Sequence, residues 1–68
     1  MLVNVNGNTK EIKDQDIIDS WNHLADVYIS NISELSEEDL IYAIENNDYI
    51  MSFLLGENFE GEYNINLL

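Results

Sequence analysis

Cysteine is absent from the 68 residues, which removes disulfide frameworks and thiolate zinc sites as sources of stability. Basic side chains are almost absent: Lys10 and Lys13 are the only two, and there is no arginine. Nucleic-acid binding needs clustered positive charge, so direct DNA or RNA binding is the function this composition most nearly excludes. No glycine-rich phosphate loop is present. No apolar run approaches the ~20 residues that span a bilayer, so no membrane role is expected. The amino terminus shows no basic segment leading into an apolar one, as a secretory signal would, and a cytoplasmic location is the expectation.

What the chain does contain is negative charge. Fourteen acidic residues set the formal net charge at -12, and all but Glu11 lie within Asp14–Leu68, where no Lys or Arg occurs. Ordinary surfaces intersperse both signs, which limits self-repulsion. Here the repulsion disfavours the compact state, most strongly at low salt. Hydrophobic residues nevertheless make up 46% of the chain, more than a disordered acidic tail carries. One folded domain over residues 1–68, with one small core, is expected.

Met1 to Val5 alternates, with Val3 and Val5 on one face, and Asn6-Gly7-Asn8 is a tight-turn signal. Thr9 to Ile12 then returns as a second strand. Whichever pair forms the turn, Ile12 falls on the face of Val3 and Val5. Asp14 or Asp16 is positioned to cap a helix running to about Ile29. Its apolar stripe is Ile17, Trp21, Leu24 and Tyr28, flanked by Ile18, Ala25 and Ile29, while Asp16, Asp19, His23 and Asp26 face outward. Val27 falls outside the stripe. Ser30–Ser33 reads as a loop.

Ser36-Glu37-Glu38-Asp39 resembles a capping box, with acids in the first turn where the helix dipole favours them. That helix continues to about Asn46. Asn46-Asn47-Asp48 is a break, and Asp48 is placed to cap a third helix, Tyr49–Leu55, closed by Gly56. One longer helix through the asparagines, or a strand at Tyr49–Leu55, are the competing readings. From Phe59 to Leu67, Phe59, Tyr63, Ile65 and Leu67 alternate with Glu60, Glu62, Asn64 and Asn66 as a half-buried strand should, with Gly61 permitting a bulge. The expected fold is α+β, β-β-α-α-(α)-β, with a three-stranded sheet and helices packed on one face.

Catalytic and metal-binding patterns are poorly supported. His23 is the only histidine, with Asp19 one helical turn before it, but no serine or cysteine stands in a nucleophile context. A calcium loop starting at Asp14 needs glycine at its sixth position and glutamate at its twelfth; these hold Asp19 and Ala25. No enzymatic activity, cofactor or metal is expected.

The acidic residues fall at outward positions in every element, and they are the candidate binding residues. They are Asp16, Asp19 and Asp26 on the first helix, and Glu34 before the second. Glu37, Glu38, Asp39 and Glu45 belong to the second helix, Asp48 and Glu57 flank the third, and Glu60 and Glu62 lie on the last strand. Solubility of a small domain needs a net charge of only ~2–8. Alternate strand positions set Glu60 and Glu62 ~6.6 Å apart, and helix positions three or four apart set Cβ atoms ~5–6 Å apart. Successive phosphates of a DNA strand are comparably spaced, so a surface that releases counterions from DNA is suited to bind such an array.

The single-sign stretch Asp14–Leu68, the asparagine-rich composition and the mixed α/β pattern resemble the very small acidic DNA-mimic inhibitors of bacteriophages. The resemblance implies a dimer-capable protein in the host cytoplasm that occupies the DNA-binding surface of a basic partner such as the histone-like protein HU. It assigns no role to any single residue. An inhibitor of a nuclease, polymerase, restriction or CRISPR effector fits the same charge. An adaptor that binds through apolar surface at Val27, Phe53 or Leu67-Leu68 is the alternative of a different class. Sheet edges left open in so short a chain make a homodimer reasonable.

Overall fold

Strands β1 (Leu2–Val5) and β2 (Asn8–Glu11) form an antiparallel hairpin in the computed structural model, which describes residues Met1–Leu68. The two-residue loop is Asn6-Gly7, with φ of 51° and 88°, the left-handed pair that a type I′ turn requires. The Asn4 side-chain oxygen accepts a hydrogen bond from the Gly7 N–H at 3.1 Å. Pairing continues past Glu11, where Ile12 N–H donates to Met1 O at 3.0 Å. Ile12 is buried with Val3 and Val5, as the alternation requires.

A third strand, β3 (Ile65–Leu67), pairs antiparallel with the other side of β1, giving the order β2-β1-β3. This strand is much shorter than the alternation from Phe59 suggests. The reason is its partner: Val5, the last residue of β1, pairs with Ile65, and beyond Val5 the chain turns. Asn6 extends the pairing by one step, donating its N–H to Asn64 O and accepting from Asn64 N–H on its side chain, each at 3.0 Å. Before Asn64 no backbone remains to pair with. Phe59, Glu60, Glu62 and Tyr63 therefore lie outside the sheet and exposed, and Gly61 sits in a bend and not in a strand bulge.

Helix α1 spans Asp14–Leu24, helix α2 Glu37–Glu45 and helix α3 Asp48–Leu55. Neither Asp14 nor Asp16 caps α1. Lys13 holds the N-cap position without a side-chain bond, and both acids lie in the first turn, where the helix dipole favours them. The helix also stops five residues short of Ile29. Asn22 explains the early stop: its side chain donates to Ile29 O and accepts from Ile29 N–H, both at 2.9 Å. This latch folds the chain back so that Ile29 is buried from a loop. Val27 and Tyr28, on the outside of that bend, are 66% and 81% exposed.

Within the expected loop, Ile32–Glu34 forms one 3-10 turn capped by the Asn31 side chain. Ser36 caps α2 as its sequence indicates, its hydroxyl accepting from Asp39 N–H at 3.3 Å. Helices α2 and α3 are separate, and the cap of α3 is Asn47, not Asp48. The carboxamide does what a carboxylate cannot. Its oxygen accepts from Ile50 N–H at 3.0 Å while its NH2 donates to Ser20 Oγ, which in turn donates to Asp16 O at 2.9 Å. One side chain thus starts α3 and ties it to α1. Gly56 ends α3 at φ 92°.

The helices cover one face of the sheet. Val3, Val5, Ile12 and Ile65 meet Ile17 of α1, Leu40, Ala43 and Ile44 of α2, and Ile50 and Leu54 of α3 in one cluster. On the opposite face Leu2, Thr9, Glu11 and Asn66 are exposed. Every buried residue is aliphatic. Among the aromatics only Trp21 packs, half-buried, against the core, while Tyr28, Tyr42, Tyr49, Phe53, Phe59 and Tyr63 are exposed. No helix is long and apolar enough to cross a membrane.

Candidate functional site

No carboxylate is buried; Asp16 and Asp39 are half-buried and the others exposed. The amphipathic helices produce this outcome, because their aliphatic stripes occupy the core and leave the acidic arcs outside. The one ion pair joins the Met1 ammonium to Asp14 at 3.0 Å. Neither lysine pairs with a carboxylate. Lys10 instead turns to the core side of β2, and its Nζ donates to Phe53 O at 3.0 Å and Leu54 O at 3.5 Å. These are carbonyls at the C-terminal end of α3, which lack helical partners and carry the negative end of its dipole. The same Nζ lies 5.3 Å from the centroid of the Phe53 ring.

Asp19, His23 and Asp48 share an open cleft of about 320 Å³ between α1 and the α2–α3 junction. Asp48 and Glu57 border a second depression with Tyr49, Ser52 and Phe53. Asp16 and Glu11 border a third with Tyr49 and Phe53. Asp48 is common to the first two depressions and Tyr49 and Phe53 to the second and third, which also contains Lys13. Glu37, Glu38, Asp39 and Glu45 of α2 border none of these depressions, nor do Asp26, Glu34, Glu60 and Glu62.

Two expectations of local geometry change. Glu60 and Glu62 are not on a strand, so the strand spacing does not apply to them. Asp26 lies beyond the end of α1, leaving Asp16 and Asp19 as the helix-spaced pair on that element. Asp19 also does not pair with His23; its Oδ1 accepts from Gln15 Nε2 at 2.8 Å. No group of three or more His, Asp or Glu side chains is arranged to hold a metal ion.

Glu45 accepts a hydrogen bond from the Tyr63 hydroxyl at 2.5 Å. That bond, with lesser contributions from desolvation and the Glu45 charge, raises the Tyr63 pKa above its ordinary 10.0. It fastens the far end of the Glu57–Tyr63 segment to α2. Asparagines perform much of the remaining local work. The side chains of Asn4, Asn6, Asn22, Asn31, Asn46 and Asn47 all bond to backbone groups, providing caps and latches without adding negative charge.

Tyr49 is the surface residue that sequence reasoning missed; it is 78% exposed beside Phe53 at 50%. The signal was composition. In α3, Tyr49, Ile50, Met51, Phe53, Leu54 and Leu55 are all apolar, and a helix lying on one core cannot bury every side. Ile50 and Leu54 take the core, so a ridge one position earlier faces water. No family model, curated protein or solved structure matches this chain.

Proposed function

We propose that this domain is a polyanion mimic that binds the basic nucleic-acid-binding surface of another protein and blocks it. The observation that carries this reading is the lack of internal compensation: the exposed carboxylates face solvent with no Lys–carboxylate or Arg–carboxylate pair. A cationic partner relieves their mutual repulsion and releases counterions from both surfaces, as it does when it binds DNA. The resemblance to bacteriophage DNA-mimic inhibitors directs the first choice of target to the histone-like protein HU. Nucleases and restriction or CRISPR effectors share the required surface chemistry.

The test is competition. HU bound to a labelled duplex is titrated with the protein while fluorescence anisotropy follows release of the DNA. Displacement is expected at about 50 mM salt, and direct binding of the protein to HU, measured without DNA, is expected to be at least tenfold weaker by about 200 mM. Capture from bacterial lysate at low salt extends the test to other targets. Recovery of no basic nucleic-acid-binding protein, or binding indifferent to salt, would sink the reading.

A further inference from the structure

We propose that the outer face of α3 is where this protein grips its basic partner, with an arginine or lysine side chain of that partner lying against the rings of Tyr49 and Phe53. This inference rests on the polyanion-mimic reading and assigns it a contact face. Tyr49 and Phe53 are four residues apart on α3, and so lie on the same side of the helix. Ile50 and Leu54 of the same helix take the core, which leaves Tyr49 and Phe53 side by side at the surface.

The surroundings specify the occupant. Asp48 and Glu57 border the two rings on one flank, and Asp16 and Glu11, which outnumber the single Lys13 beside them, on the other. A purely apolar partner would desolvate these carboxylates without compensation. A cation on an aliphatic stem satisfies both, its stem covering the rings and its charge meeting the acids. The molecule already contains one instance of this chemistry. The Lys10 ammonium sits 5.3 Å from the Phe53 centroid while bonded to α3 carbonyls. Beside the α2 acids no two aromatics sit one turn apart: Tyr42 is the one aromatic on that helix, and the Tyr63 hydroxyl is already bonded to Glu45. Arginine is the better occupant, since its planar guanidinium stacks on a ring and forks onto a carboxylate together.

The probe is a synthetic arginine–glycine repeat peptide, titrated into the isotope-labelled protein and followed by proton–nitrogen NMR. Shifts are expected to concentrate at Asp48, Tyr49, Phe53 and Glu57. Tyr49→Ala is expected to weaken the peptide about tenfold, and Tyr49→Phe less than twofold. Asp48→Asn with Glu57→Gln is expected to cost more than Glu37→Gln with Glu38→Gln, although both pairs remove the same charge. Tyr49 is exposed enough that its loss leaves the fold intact, and unchanged dispersion elsewhere in the spectrum verifies this. Shifts spread evenly over all acidic residues or centred on α2, or full affinity in Tyr49→Ala, would overturn the assignment while leaving the mimic reading to stand or fall by DNA competition.

Discussion

The first turn of α2 and the Glu57–Glu62 segment each present three carboxylates to solvent, yet they are built in opposite ways. Glu37, Glu38 and Asp39 follow the Ser36 cap, in the positive field of the helix N-terminus, above the buried Leu40, Ala43 and Ile44. Folding alone gives these acids a reason to be acidic. Glu57, Glu60 and Glu62 have no such reason. Between Gly56 and Tyr63 no residue makes a backbone hydrogen bond to the rest of the chain, and every residue is exposed. Negative charge there contributes self-repulsion and no capping. Of the acids in this unsupported segment, Glu57 also borders the Tyr49–Phe53 ridge.

The largest expected effect tests the supported region. Asn47→Ala removes the cap of α3 and the bond to Ser20 together, and is expected to destabilise the domain by about 2 kcal/mol, read as a lowered denaturant midpoint. A loss no greater than for a loop substitution would mean that α3 is held by packing alone. Ser36→Ala is expected to cost about 1 kcal/mol, against ~0.5 kcal/mol or less, of either sign, for Glu60→Gln with Glu62→Gln. Equal losses for the two variants would abolish the contrast.

The smallest effect concerns the tie between the two regions. The raised pKa of Tyr63 means that its neutral hydroxyl is favoured in the folded state. The contribution is therefore complete below pH 10.0 and is lost as pH rises through the higher folded-state value. By ring NMR Tyr63 is expected to ionise above its ordinary range, and Glu45→Ala to bring it back toward that range. An unmoved titration in that variant would show that Glu45 does not hold the segment.

Local chemistry was legible in the sequence and distant partnership was not. Asn6-Gly7 and Ser36 act within a few residues of themselves, and both were readable as turn and cap. The end of α1 was not, because the Asn22 side chain bonds a backbone seven residues away, and the helical spacing of Ile29 is kept by a residue that is not helical. The alternation from Phe59 to Leu67 was real, but a strand needs a neighbour, and β1 ends opposite Ile65. The acidic surface was readable residue by residue. Which of these acids come to border the Tyr49–Phe53 ridge depends on how the helices pack, which no periodicity encodes.

The all-aliphatic core has a consequence for how the protein will be observed. Six of its seven aromatic rings stand in solvent and Trp21 is only half covered. Near-ultraviolet circular dichroism of the free domain should therefore be faint even when the fold is complete, and is a poor reporter of unfolding. The same rings make sensitive reporters of docking. Immobilising Tyr49 and Phe53 against a partner should make the optical signature of the complex stronger than the sum of its parts, so the chain carries its own binding indicator.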